Sequence, residues 1–185
     1  GIDLDGGGGR LVPTGNSTPP FWQLCTVNAG DVWIVPSSHT SIYMIDDDSV
    51  QHTLPFPFTY AGQTWNDVYI GSNGYLTFGS PDTTYIESLA SHFDRPRISG
   101  LFDDLDPSQG GEVLVGVGPG GSFVVTWWQV PEYDMPGTSN TVQIILHPND
   151  VIEVSYPFLT ATSAIAGLSE GGGVPPEFRS TDLSD

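Results

Sequence analysis

The chain has 185 residues, with 22 acidic side chains against four arginines and no lysine, for a formal net charge of -18. That charge repels nucleic-acid phosphate and anionic lipid, which excludes both as expected partners. No apolar run approaches the ~18 residues that cross a bilayer as a helix, so no membrane insertion is expected.

The first segment, residues 1–20, is an extended Gly/Pro-rich stretch. Ile2 and Leu4 precede the glycine run 6–9, which has nothing of its own to bury and is expected to be disordered unless a neighbouring molecule holds it. Ile2 and Leu4, or Leu11 and Val12, are the apolar residues such an arm would insert into a neighbour's sheet. Beginning at Gly1 without a signal peptide, the chain is expected to be a processed form. Residues 13–20 have polyproline II character, and Asn16-Ser17-Thr18 is the sole sequon, which makes Asn16 the candidate glycosylation site. Cys25 is the only cysteine, so no intrachain disulfide can form. It is expected to be a buried, inert thiol or, alternatively, an intermolecular bridge.

Strands are expected at 21–27, 31–35, 40–45 and 54–60, the last an edge or irregular strand because it carries Pro55 and Pro57. Asn73-Gly74 then predicts a hairpin with a two-residue type I′ turn. That turn sets Ser72 opposite Tyr75, Gly71 opposite Leu76, Ile70 opposite Thr77 and Tyr69 opposite Phe78. Both faces of this hairpin are apolar enough to be covered. Residues 83–93 can hold a helical turn. Further strands are expected at 98–102, 112–117, 122–130, 141–147, 151–156 and 164–168, followed by an irregular tail at 171–185. Short strands recurring every ~8 to 12 residues predict an all-β fold: an antiparallel two-layer sandwich, jelly-roll-like, over residues 21–170 with few or no helices.

Several stretches in this series resemble a known family. Leu54-Pro55-Phe56-Pro57-Phe58-Thr59-Tyr60-Ala61-Gly62, followed by Val68-Tyr69-Ile70-Gly71-Ser72-Asn73-Gly74-Tyr75-Leu76-Thr77-Phe78-Gly79, is similar to the opening of nidogen-like (NIDO-like) domains. Ile98-Ser99-Gly100-Leu101-Phe102-Asp103-Asp104-Leu105-Asp106 resembles a later segment of the same family, and Ala166-Gly167-Leu168-Ser169 its close. The strands between also resemble those of plexin-domain-containing ectodomains. The resemblance spans about residues 54–170. It implies a secreted or cell-surface β domain of adhesion, matrix or bacterial surface proteins, without a common enzymatic activity.

Two catalytic-looking patterns do not fit their context. Gly167-Leu168-Ser169-Glu170-Gly171 matches a nucleophile elbow, but the Gly- and Pro-rich residues after it cannot form the helix that motif requires. Gly116-Val117-Gly118-Pro119-Gly120-Gly121 runs into a strand and is a turn, so no helix N-terminus awaits a pyrophosphate. His39, His52, His92 and His147 have no zinc-site spacing. The strongest chemical signal is Asp103, Asp104 and Asp106, carboxylates in a loop that suit a hard, oxygen-seeking cation such as calcium. Asp46-Asp47-Asp48 and Asp3/Asp5 are weaker versions, and all of these aspartates also suit ordinary turn capping. Trp127 and Trp128 point to opposite faces of one strand; one belongs in the core, and an exposed one can stack on a sugar ring.

The expected function is a non-enzymatic extracellular structural or adhesion subunit. It would associate with copies of itself as a homo-oligomer or filament, through a terminal segment that pairs with a neighbour's sheet. The alternative is a monomeric glycan- or protein-binding module of a larger surface protein.

Overall fold

The computed structural model describes residues 7–14, 21–35 and 38–180. The described chain is built of twelve strands: β1 (Gly7–Thr14), β2 (Phe21–Asn28), β3 (Thr40–Ile42), β4 (Ser49–Tyr60), β5 (Gln63–Gly71), β6 (Tyr75–Thr77), β7 (Pro96–Phe102), β8 (Glu112–Val117), β9 (Phe123–Val130), β10 (Asn140–Leu146), β11 (Ile152–Phe158) and β12 (Ile165–Glu170). They form two antiparallel sheets, ordered β2-β1-β11-β10-β9-β8-β3 and β12-β7-β6-β5-β4. The two-layer β sandwich expected from the strand spacing is therefore the observed architecture. Alternate residues of β9 (Phe123, Val125, Trp127) and of β10 (Val142, Ile144) meet Val68, Ile70, Leu76 and Ile98 from the other sheet in one core. Trp127 caps its burial by donating Nε1–H to the Gly71 carbonyl at 3.0 Å.

Both sheets also have covered outer faces. Over the seven-stranded sheet runs a helical turn, α1 (Ala29–Val32), and the residues after it. The Ile34 N–H donates to Gln143 Oε1 (2.9 Å) and Gln143 Nε2 donates back to the Ile34 carbonyl (2.8 Å). A side-chain amide thus takes the place of a neighbouring strand's backbone, and the strand expected at 31–35 is a strap instead. Trp33 stacks on Trp128 at 5.9 Å, so the second tryptophan of the pair is covered. Over the five-stranded sheet lies the segment 80–95 with its helical turn α2 (Leu89–His92), within the stretch where one was expected. The turn closes over Arg97, which is fully buried. Its Nη2 donates to Asp82, to Asp94 (3.2 Å) and to the Ser91 carbonyl (3.0 Å), while the guanidinium lies over Tyr75 (4.4 Å) and Phe102 (4.8 Å).

The central hairpin differs from expectation by one residue. Gly71 pairs with Tyr75, Ile70 with Leu76 and Tyr69 with Thr77, leaving a three-residue loop, 72–74. Gly74 takes φ 76 whereas Asn73 is not in the left-handed region, so the turn is not type I′. The slip moves Leu76 onto the core face beside Ile70.

The N-terminal segment is also corrected. Residues 7–14 pair with the chain's own β11 (Gly8 with Ser155 through Leu11 with Ile152) and with its own β2. Leu11 packs against the chain's own core, and Arg10 Nε donates to Glu153 at 2.6 Å. Leu11 and Val12 therefore lie in a strand of the chain's own sheet. Ile2, Leu4 and Asn16 lie outside the described residues.

Candidate metal centre at the acidic end

The loop 72–74 anchors two aspartate-rich loops at one end of the sandwich. On one side, the Ser72 N–H donates to the Asp48 carbonyl (2.9 Å) and the Asp48 N–H donates to Ser72 Oγ (3.0 Å). On the other, the Gly100 and Leu101 N–H groups both donate to the Gly74 carbonyl at 3.0 Å. A side chain at Gly74 would overlap the Leu101 carbonyl, so this contact requires glycine as well as its positive φ. Between the loops sits Asn73, fully buried. Its Nδ2 donates to Asp47 Oδ1 (2.8 Å) and to the Thr84 carbonyl (3.3 Å), and its Oδ1 accepts the Leu105 N–H (2.9 Å). One amide ties the 46–48 loop to the 103–106 loop.

The result is a convergence of carboxylates. One oxygen from each of Asp46, Asp47 and Asp104 lies within 4.8 Å of the others, and all three residues are half-buried. Asp47 is held in a left-handed conformation (φ 52), which aspartate tolerates. Oxygens that share a calcium ion at 2.3–2.6 Å stand up to about 5 Å apart, so the spacing fits that ion. Three carboxylates supply part of its six to eight oxygens, leaving the rest to water or to oxygens of another molecule.

The set expected from the sequence is only partly the set the fold assembles. Asp104 is in it. Asp106 is buried and turned inward, its Oδ1 accepting the Ser108 N–H (2.9 Å) and Oγ–H (2.6 Å). Asp103, 8% exposed, uses Oδ1 on the Asp104 N–H (2.9 Å), and its buried Oδ2 has no hydrogen-bond partner. Asp46 and Asp47, which looked weaker, replace them, and a buried oxygen of Asp46 is likewise unpartnered. Asp48 caps its own loop through the Ser49 N–H (2.8 Å). The Asp-rich character of 46–48 was visible in the sequence. What the sequence did not carry was Asn73's role in bringing the two loops together.

The electrostatics follow from this crowding. Burial, opposed by the Asp104 N–H and reinforced by Glu132, Glu87 and Asp104, pushes the Asp103 carboxyl up to about 7. Burial first, then Asp47, Asp46, Glu87 and Asp106, pushes Asp104 up to about 6. Asp46 is raised by burial and by Asp47 and Asp106. No arginine relieves this field among the described residues. Arg10 serves Glu153, Arg95 and Arg97 serve Asp82 and Asp94, and Arg179 donates to the Phe178 carbonyl.

The catalytic-looking patterns fall into structural roles. Ser169 lies within β12 with its hydroxyl donating to the Arg95 carbonyl (2.9 Å), and in 116–121 the first two residues end β8 while the rest form the turn into β9. Of the histidines, His92 is buried against Ser99 Oγ (2.9 Å) and His147 meets Glu153 (2.9 Å).

Fold and site together describe an antiparallel β sandwich whose outer faces are covered in part and which has one acidic loop end. The family model described as NIDO related matches residues 25–182, most of the chain, and the protein belongs to that nidogen-related family. The match begins well before the 54–170 stretch that carried the resemblance and takes in the second half of β2, the strap and β3. No curated protein and no solved structure gives a significant match. No helix among the described residues is long and apolar enough to cross a membrane.

Proposed function

We propose that this chain is a non-enzymatic extracellular adhesion module that makes contact through its acidic end, with calcium completing that end. The observation that carries the reading is the convergence of Asp46, Asp47 and Asp104 where no arginine of the described chain can balance them. A cation held by three carboxylates keeps coordination places for a partner's oxygens. The surrounding surface suits contact too: Ile45 precedes Asp46, Ile86 precedes Glu87, and Tyr133 follows Glu132 and donates its N–H to the Asp104 carbonyl (2.7 Å), and all three side chains are exposed. Exposed aromatic and aliphatic residues beside a desolvated polar centre are the usual makings of a recognition surface.

The test is a calcium titration by calorimetry, together with attachment of cells to the immobilised chain in calcium or in EDTA. Saturable binding that Asp104→Asn removes, and attachment that EDTA abolishes, are the expected results. A melting temperature unmoved across a range of calcium concentrations overturns the metal centre, and attachment indifferent to EDTA overturns its adhesive use. Self-association is favoured by a separate observation, the outer edge of β2, on which no strand of the described residues lies.

A further inference from the structure

A β-sheet edge is a template for another strand, and folded proteins usually blunt their edges with short strands, proline, bulges or charge. Among the described residues the two sheets have four edges, and three of them are blunted. β3 has three residues. β4 carries Pro55 and Pro57 and loses its register between Thr53 and Phe58. β12 shifts register between Ile165 and Gly167 and ends on Glu170. The fourth, β2, is different. Its eight residues pair with β1 in unbroken register from Asn28 to Phe21, and among the described residues no strand lies on its other side. It contains no proline and no charge; indeed the sequence has no charged residue between Arg10 and Asp31. In a chain of net charge -18, where two copies repel each other over most of their surfaces, this strand is where a second copy can approach closely.

We infer that two copies of this chain join edge to edge through β2, antiparallel about a two-fold axis at Cys25, and that a Cys25–Cys25 disulfide locks the pair. The occupant is a second copy because a neutral strand centred on one residue is its own complement under two-fold symmetry. The register sets Gln23 opposite Val27 of the second copy and Cys25 opposite Cys25. Directly opposed residues of an antiparallel pair have Cα atoms about 4.5–5.5 Å apart, inside the range of about 4.4–6.8 Å that a disulfide spans. Cys25 is exposed, contrary to the buried thiol expected as one reading of the sequence. The lock forms by exchange with a small-molecule disulfide: one Cys25 thiolate attacks it and releases one thiol. The second copy's thiolate then attacks the mixed disulfide and releases the other, so two protein thiols are oxidised and one external disulfide is reduced to two thiols.

This pairing deepens the self-association reading and does not involve the acidic end. The experiment is therefore run on the full chain in EDTA, so that failure of the metal centre cannot alter it. Sedimentation equilibrium under reducing conditions is expected to show a reversible dimer, and oxidised glutathione to convert it to a species of twice the chain mass on a non-reducing gel. Cys25→Ser keeps the reversible dimer and loses the covalent one. Gln23→Glu with Val27→Glu places like charges directly across the seam and weakens the dimer at least tenfold, whereas Gln23→Lys with Val27→Glu places opposite charges there and restores it. A chain monomeric at all concentrations overturns the inference. So does a dimer indifferent to both double variants, and so does a cross-link that forms although Cys25→Ser is monomeric.

Discussion

Charge is treated in opposite ways on the two sides of Thr84. Its carbonyl accepts from Tyr75 Oη (2.9 Å), which belongs to the Arg97 pocket, and from Asn73 Nδ2 (3.3 Å), which belongs to the acidic end. In the pocket a fully buried guanidinium meets two carboxylates, a carbonyl and two aromatic faces, so the chain balances its own charge, although Arg97 Nε and Nη1 are buried without a hydrogen-bond partner. At the acidic end Asp46, Asp47, Asp103 and Asp104 gather without an arginine, and two buried carboxylate oxygens have no partner. Burying an ion is tolerable only when something of opposite sign or a full set of donors meets it. The pocket meets that condition internally and reads as a structural bolt, while the acidic end has no cationic side chain of the described residues beside it and its carboxyls are pushed toward their protonated form instead.

The largest expected effect breaks the bolt. Arg97→Met leaves the buried Asp82 with Arg95 at 3.8 Å as its remaining cation, while Asp94 keeps its bonds to Arg95; it should lower the unfolding free energy in urea by about 3–5 kcal/mol, the usual result of removing one partner of a buried pair. A loss below about 1 kcal/mol would place the pocket's charge outside the stability balance. Next comes the amide between the acidic loops. Asn73→Ala orphans the Leu105 N–H and releases Asp47, for an expected loss of about 1–3 kcal/mol. It should also weaken calcium binding, and intact calcium affinity in a destabilised Asn73→Ala protein would show that the loops find each other without it.

The smallest effect is in the pH dependence of the calcium-free protein. The folded Asp103 and Asp104 titrate at about 7 and about 6 against a usual value of 3.8, so between those limits the folded chain holds protons that the unfolded chain has released. Stability then falls as pH rises through that window. His92, which burial holds down to about 4 from 6.5, acts in the other direction and removes stability as pH falls. Asp103→Asn separates the two: its melting temperature should exceed that of the parent more at pH 7 than at pH 4.5. An equal difference at both pH values would place Asp103 outside the titration.

Most of the strands were legible in the sequence because alternation of apolar residues is a local signal, as Phe123, Val125 and Trp127 illustrate. What was not legible depended on distant partners. Residues 32–35 look like any apolar strand, and only Gln143 on the far side of the sequence makes them a strap. The glycines of β1 present no side-chain pattern, so their pairing with β11 left no trace to read. Asn73-Gly74 suggested a two-residue turn because that is the pair's habit in isolation; bonds from Asn73 to Asp47 and Leu105 select another geometry. Adjacency in sequence points to Asp103, Asp104 and Asp106, whereas the fold groups Asp104 with Asp46 and Asp47 from another loop and leaves Asp106 capping Ser108.

Asn73 has one more consequence, which concerns ageing. An asparagine followed by glycine is chemically fragile: the glycine's amide nitrogen attacks the side-chain carbonyl carbon, ammonia leaves as a cyclic imide forms, and hydrolysis gives aspartate or its isomer. Here the side-chain amide is pinned by three hydrogen bonds in a fully buried position, which denies it the rotation that this attack needs. The folded acidic end is thus a shelter for a bond that would decay in the unfolded chain. Decay would add one more negative charge to the place that can least accommodate it, so the extent of conversion at Asn73 records how long a given molecule has spent open.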